Sequence, residues 1–199
     1  MRAPSVSIAV LVLSLAAAGC ASTQVVHEWR NPELASAQRF KKIMVTDISR
    51  QPGIRRSFED EFVLRLKAAG VDAVPSYRFI PEDGLVEEPR RREALAQAGA
   101  DAALVTRLVR VEQMYPVSPY YYYPPPPRGF YRGPWYGYYG PPPYPYEVYV
   151  SETSLYDTSR NELIWSGTVE ASPTGVSEDI PRYVNAVMEA LQKQGFVSR

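Results

Sequence analysis

Residues 42–70 read KIMVTDISRQPGIRRSFEDEFVLRLKAAG, and they predict a strand followed by a helix. The apolar, β-branched run at residues 42–48 is typical of a buried strand, and Gln51-Pro52-Gly53 then breaks the chain. From there, apolar side chains recur at every fourth position, which gathers them on one stripe of an amphipathic helix. Gly70 follows where a helix C-terminal cap is expected. The stripe consists of Ile54, Phe58, Phe62 and Leu66.

The alternation of strands and helices continues toward the carboxyl terminus. Residues 71–74 predict a short strand, and residues 102–111 predict a longer one. Between them, Pro89 suits the first turn of a second helix, which ends near Gly99. Short links between these elements imply parallel strands joined by right-handed crossovers.

The last third of the chain predicts a hairpin and a final helix. Residues 148–156 and 162–170 read as two strands joined by the polar connection 157–161. The apolar spacing over residues 180–191 is that of an amphipathic helix, which ends at Gly195. The sequence therefore predicts an α/β fold, a single mixed-sheet domain over residues 42–199 with its helices packed on the sheet. The predicted order is βαβα-β-(insert)-ββα.

The insert in that order is a Tyr/Pro/Gly-rich low-complexity segment, residues 116–146, called the Tyr/Pro tract below. It holds eleven of the 19 prolines and ten of the 15 tyrosines of the chain. Proline removes backbone donors, so neither a helix nor a central strand is expected there. Aromatic rings beside prolines can stack on sugars or other aromatics, but a long loop can also be simply disordered, and both interpretations stay open. The predicted binding residues are Tyr120, Tyr121, Tyr122, Tyr123, Phe130, Tyr131, Trp135, Tyr136, Tyr138 and Tyr139.

The amino terminus has the pattern of a lipoprotein signal peptide. After Arg2, an apolar run of eleven residues at 8–18 would span about 16 Å as a helix, too short for a bilayer core of about 30 Å and typical of a secretory signal. The run ends in Ala17-Ala18-Gly19-Cys20, which resembles a lipobox, and Cys20 is the only cysteine. An ordinary signal followed by a chance cysteine is the alternative.

The lipobox resemblance implies a series of processing steps at Cys20. They are cleavage after Gly19, a thioether-linked diacylglycerol on Cys20, and acylation of its new amino group with a fatty acid such as palmitate. Several buried acyl chains make a stable membrane anchor. Residues 1–19 are then the signal, and residues 20–41 form the lipidated cysteine with a tether. Ala21 after the lipidated cysteine resembles an outer-membrane sorting signal, which implies a protein facing the periplasm.

Charge and chemistry exclude several function classes. The chain has 22 basic and 22 acidic residues, and removing the signal leaves a net charge of −1. This balance argues against nucleic acid as a partner. The single histidine, His27, falls in the predicted tether, where a solvated role is favoured. No catalytic residue, metal site or cofactor other than the lipid is therefore predicted.

Two charged segments have a possible but disfavoured functional interpretation. Arg55 and Arg56 at the start of the first helix could hold an anion, although a solvated first turn is favoured.

The acidic residues that follow do not form a site. Glu59, Asp60 and Glu61 are consecutive on that helix, so they point in different directions and are predicted to face water. Arg90 to Arg92 could touch phospholipid head groups, but an ordinary charged helix face is the favoured interpretation.

Three stretches together resemble a known group of proteins. Besides residues 43–70, they are ADAALV at 100–105 and the pair TSLYD at 153–157 and LIWSG at 163–167. In this order they resemble uncharacterised bacterial lipoproteins of unknown function and, more distantly, the α/β domains of CsgG, LpoB and the amino-terminal part of TolB. The characterised members of that group have binding or assembly roles. A pore role is not favoured, because the sequence shows no obvious long hairpin with apolar alternation.

The predicted function is therefore that of a membrane-anchored cell-envelope lipoprotein, a non-catalytic binding or scaffolding module that contacts an envelope protein or a cell-wall polymer. The alternative is an oligomeric assembly subunit of an envelope complex, as CsgG is. An envelope hydrolase is the least favoured interpretation, because it would need several carboxylates converging in a deep cleft.

Overall fold

The computed structural model describes residues 23–33, 39–81, 88–115, 145–172 and 175–198. They form a mixed six-stranded sheet, with strand order β1-β6-β5-β4-β2-β3, and three α-helices packed on it. The predicted α/β fold is therefore confirmed. The strands are β1 (Gln24–Arg30), β2 (Lys42–Asp47), β3 (Asp72–Pro75), β4 (Ala102–Met114), β5 (Tyr146–Asp157) and β6 (Glu162–Ala171), and the helices are α1 (Pro52–Ala68), α2 (Glu88–Ala98) and α3 (Val176–Lys193).

The parallel part of the sheet is built around β2. This strand pairs in parallel with β3 on one side and with β4 on the other, so that Val45 lies opposite both Pro75 and Leu104. The predicted parallel pairing is confirmed. From the end of β2 the chain passes through α1 to β3 on one side, whereas β4 lies on the other side of β2. A parallel sheet whose strand order reverses at this point is expected to have a crevice outside the carboxyl end of β2.

The antiparallel part is a hairpin that is longer than the sequence predicted. β4 and β5 pair from Ala102↔Asp157 out to Met114↔Tyr146, whereas the sequence predicted strands that stop at residue 111 and begin at residue 148. Glu112, Gln113 and Glu147 interrupt the apolar pattern there, but backbone pairing continues through them. Tyr146 therefore belongs to β5 and not to the Tyr/Pro tract.

An additional strand, β1, lies in the segment that the sequence analysis assigned to a tether. β1 pairs antiparallel with β6, from Gln24↔Glu170 to Arg30↔Trp165, so the tether prediction is wrong for residues 24–30. The indole Nε1 of Trp165 donates a hydrogen bond of 2.7 Å to Glu28. Most β1 side chains are exposed, so backbone pairing at a sheet edge forms this strand and no apolar pattern marks it in the sequence.

The main core lies between the sheet and the pair α1 and α3. Three of the four residues of the predicted stripe of α1 point into it: Phe62 and Leu66 are fully buried, and Phe58 packs against the same cluster, whereas Ile54 is half-buried outside it. A smaller cluster, formed by Met44, Ile80, Ala94 and Ala98, connects β2 to α2. Since Met44 alternates with Ile43 and Val45 along β2, α2 lies on the opposite face of the sheet. Among the described residues, no helix has the length and apolar character needed to cross a bilayer.

Candidate functional site

The predicted lipidation and binding residues lie outside the part of the chain that the structure describes. This is true of Gly19 and Cys20, and of all ten predicted binding residues of the Tyr/Pro tract. His27 is exposed on β1. The described residues instead show two features that the sequence analysis did not identify, a hairpin arm and a polar cleft.

The hairpin arm is the outer part of the β4–β5 pair, residues 108–114 and 146–151. The Met114↔Tyr146 pair is the last of its register, so the two ends of the Tyr/Pro tract start side by side. The arm and Tyr115 next to it expose an unusual share of large apolar side chains: Leu108 (51%), Val109 (44%), Val111 (44%), Met114 (44%), Tyr115 (65%) and Tyr146 (44%). The tract is therefore attached to the tip of a paired hairpin with an apolar surface.

A buried ion pair lies where α1 meets the carboxyl end of β2. Arg55 is 6% exposed and Glu59 is fully buried, and the Arg55 Nε donates to the Glu59 Oε1 at 2.9 Å. The prediction that both side chains face water is therefore wrong. They follow one another by four residues, which places them on the same helical face, and that face is turned toward the sheet.

Glu59 accepts hydrogen bonds from three further donors on two other elements. The Ser76 hydroxyl donates to Oε1 at 2.7 Å, and the backbone N–H of Asp47 donates to the same oxygen at 3.1 Å. The backbone N–H of Tyr77 donates to Oε2 at 2.9 Å. The network therefore ties α1 to the end of β2 and to the short 3₁₀ turn after β3, Ser76–Arg78.

Asp47, the last residue of β2, lies next to this ion pair and lacks a full set of partners. Its side chain is 7% exposed, and its Oδ2 has no hydrogen-bond partner among the described residues. Burial, followed by the negative charge of Glu59, raises the pKa of Asp47 to about 7, against the opposing effects of Arg55 and of the Ser49 backbone N–H. The proton on this carboxyl is therefore exchanged near neutral pH.

A chain of three buried hydroxyls lies beside Asp47. The Thr153 Oγ1 is 2.9 Å from the Thr106 Oγ1 and 2.7 Å from the Tyr183 Oη. The Tyr183 ring meets the Phe58 ring edge-on at 5.5 Å, which fixes its orientation. Burial raises the pKa of Tyr183, so its hydroxyl keeps its proton at neutral pH and acts as a hydrogen-bond donor or acceptor.

Three of these polar residues line a cleft of about 610 Å³, called the β2-end cleft below. They are Asp47, Thr106 and Tyr183, and the walls of the cleft include the apolar side chains of Ile54, Phe58, Leu108 and Ile180. A cleft of this size with apolar walls and a few convergent polar groups has the form of a small-molecule site. The signal in the sequence was a single acid at the end of a buried parallel strand, the position at which α/β sheets bind ligands.

A second cleft, of about 820 Å³, lies beside α2 and is lined by Arg91, Arg92, Arg107 and Arg160. Arg92 pairs with Glu88, Arg107 with Glu152 and Arg160 with Asp157. Arg90, Arg91 and Arg92 are all exposed. Three of its four guanidinium groups are therefore paired with carboxylates, and its lining carries four arginines against two acids, Glu88 and Asp157. No group of three or more His, Cys, Asp or Glu side chains within the described residues could hold a metal ion.

Comparisons with known proteins place most of the chain in one family. Residues 68–193 match the family model described as a domain of unknown function, DUF4136. No curated protein matches the chain in sequence.

Several solved structures are similar in fold. A PelC dodecamer from Paraburkholderia phytofirmans is 17% identical with a TM-score of 0.47, covering 83% of this chain and 95% of that one. The lipoprotein GNA1162 from Neisseria meningitidis is 13% identical with a TM-score of 0.41, covering 76% and 96%. The hypothetical protein CT253 from Chlamydia trachomatis is 10% identical with a TM-score of 0.35, covering 78% and 96%.

Proposed function

The chain belongs to the DUF4136 family, a domain of unknown function, and from its own residues we propose that it is a lipid-anchored module of the bacterial cell envelope. Its role is non-catalytic: the Tyr/Pro tract contacts an envelope protein or a cell-wall polymer, and Cys20 holds the domain at a membrane. The membrane is the outer membrane, with the domain on its periplasmic side, because Ala21 follows the lipidated cysteine.

The observation that carries the proposal is the way the hairpin arm holds the tract. The β4–β5 register runs out to Met114↔Tyr146, so the described residues on either side of the tract lie at the end of one paired hairpin. The arm exposes apolar side chains up to Met114, Tyr115 and Tyr146, and the sequence that joins its two strands is rich in aromatic residues. Contiguous exposed apolar surface on a soluble domain commonly marks an interaction site.

Replacing residues 116–144 with a short turn between Tyr115 and Pro145 tests the binding role. We expect the far-UV circular dichroism per residue of the folded domain and the melting temperature to stay unchanged, because the core clusters lie elsewhere. Two kinds of binding should be measured: capture of proteins from envelope extracts, and co-sedimentation with purified cell-wall polymer. The one that corresponds to the true partner of the tract should be lost. A matched variant keeps the length and the prolines but changes the ten predicted aromatic residues to serine. It should show the same loss, and unchanged binding by both variants would contradict the role of the tract.

The Cys20→Ser variant tests the anchor. We expect the native protein to fractionate with membranes and its mature form to begin at a Cys20 that carries acyl mass. The Cys20→Ser protein should leave the membrane fraction or keep its signal uncut, whereas the neighbouring Ser22→Ala variant should behave like the native protein. Density separation of the membranes then tests the outer-membrane assignment. A native protein with an unmodified Cys20 would refute the anchor.

A further inference from the structure

We propose that the β2-end cleft binds a small organic cation, a primary ammonium group carried on an apolar body, with Asp47 as its counter-ion. This site is separate from the Tyr/Pro tract and does not depend on the proposed binding role of that tract.

The first argument is an unsatisfied acceptor on Asp47, a residue that lines the cleft. The Oδ2 of Asp47 is buried and has no hydrogen-bond partner among the described residues, although Asp47 is only 7% exposed. Buried polar atoms in native proteins are nearly always paired, since an unpaired one has lost its hydrogen bonds to water without replacement. A donor group on a ligand in the cleft would provide the missing hydrogen bond.

The second argument is the balance of charge around that oxygen. From α1, Arg55 is committed to Glu59 at 2.9 Å and to the Ser76 hydroxyl at 2.8 Å. Arg55 therefore neutralises Glu59, and once Asp47 has lost its proton the group of three retains one negative charge, that of Asp47. A cationic ligand supplies the compensating charge, whereas a neutral donor would satisfy the hydrogen bond only.

The other elements that line the cleft bring little further charge to Asp47. β4 and β5 contribute the hydroxyl-bearing side chains of Thr106, Tyr149 and Ser151. From α3, Asp179 is paired with Arg182 at 2.6 Å. Arg50 also lines the cleft, but it is exposed, so water screens its charge.

The third argument is the shape and polarity of the walls. Ile54, Phe58 and Ile180 line the cleft with apolar side chains, and Tyr183 lies among them. The volume of about 610 Å³ suits a small organic molecule. A hard metal ion would require six or more oxygen ligands, and here one carboxylate lies among hydroxyls. An ammonium group with an apolar body matches both the carboxylate and the apolar walls.

The pKa of Asp47 supports the same assignment. Because burial and Glu59 raise it to about 7, a cation should bind best when the carboxyl has lost its proton. Between pH 8 and pH 5.5 the ionised fraction of such a group falls about thirtyfold. The affinity for an amine that stays protonated over this range should fall by the same factor.

The experiment is calorimetric titration of the full-length protein with phenethylamine, using 2-phenylethanol as the neutral probe of the same shape. At pH 8 we expect saturable binding of the amine and at least tenfold weaker binding of the alcohol. Asp47→Asn should weaken amine binding at least tenfold. Asp72→Asn, the same change at an exposed carboxyl on β3, should leave it unchanged.

A second pair of variants keeps the test valid if Asp47→Asn alters the fold. Ile54→Lys adds a positive charge at a half-buried residue of α1 that lines the cleft and should weaken amine binding severalfold. Leu64→Lys adds the same charge on α1 at a residue that does not line the cleft and should have no effect. Equal affinity for amine and alcohol, amine binding that survives at Asp47→Asn, or no saturable binding would each overturn the proposal. The protein lacking residues 116–144 should still bind the amine, which separates this test from that of the tract.

Discussion

Replacing Arg55 with methionine is expected to lower the free energy of unfolding by about 3–5 kcal/mol. The guanidinium is the only cation bonded to Glu59 within the described residues, and Glu59 is fully buried. Methionine keeps an unbranched stem and a good helix propensity, so the main change is the loss of charge compensation. The carboxylate would keep its hydrogen bonds from Ser76, Asp47 and Tyr77 but would remain as an uncompensated buried charge.

The same helix supplies a matched control for this prediction. Arg65 donates from its Nε to the Oε1 of Glu61 at 2.7 Å, again four residues apart, but its side chain is 41% exposed. An exposed pair of this kind contributes about 0.3–0.5 kcal/mol, so Arg65→Met should have a small effect. Urea denaturation at pH 7 compares the two variants. Similar losses for both would show that the burial of the Arg55–Glu59 pair does not matter to stability.

The elements that sequence reasoning predicted correctly are those whose apolar side chains recur at a regular spacing. The stripe on α1 is buried at Phe62 and Leu66, and the apolar run of β2 pairs in parallel on both sides. In these elements burial alone determines which positions are apolar, so the spacing of the apolar residues indicates which side chains are buried. The edge strand β1 has no such pattern, because its stability comes from backbone pairing with β6.

The polar network could not be predicted because its partners are distant in the chain. The spacing of Arg55 and Glu59 was visible in the sequence, but it is equally common on solvated helix faces. Their burial depends on Ser76 and on the end of β2, which come together only in the folded sheet. The isolation of Asp47 from donors is likewise a property of the surrounding fold, so the sequence around it does not predict it. Lipidation of Cys20 and binding by the Tyr/Pro tract remain predictions.

Asp47→Asn is expected to remove a pH dependence from the stability of the protein. In the folded state burial raises the pKa of Asp47 from its ordinary value of 3.8 to about 7. Between these two values the folded protein binds more protons than the unfolded chain, so this carboxyl makes stability fall as the pH rises. From pH 5.5 to pH 8 its contribution falls by about 2 kcal/mol, at 1.36 kcal/mol per pH unit until the folded group has itself ionised. Asparagine does not titrate and should not show this fall.

Urea denaturation of the native protein and Asp47→Asn at pH 5.5 and pH 8 measures the difference. The native protein should lose about 2 kcal/mol more than the variant over that range, and Asp72→Asn, whose carboxyl is 54% exposed, should follow the native protein. Parallel curves for native protein and Asp47→Asn would mean that Asp47 is solvated or paired in solution, which would also remove the basis for a cation in the cleft. If the fall is observed, adding phenethylamine at pH 8 should restore part of the lost stability of the native protein and none in Asp47→Asn, because a ligand stabilises only the state that binds it.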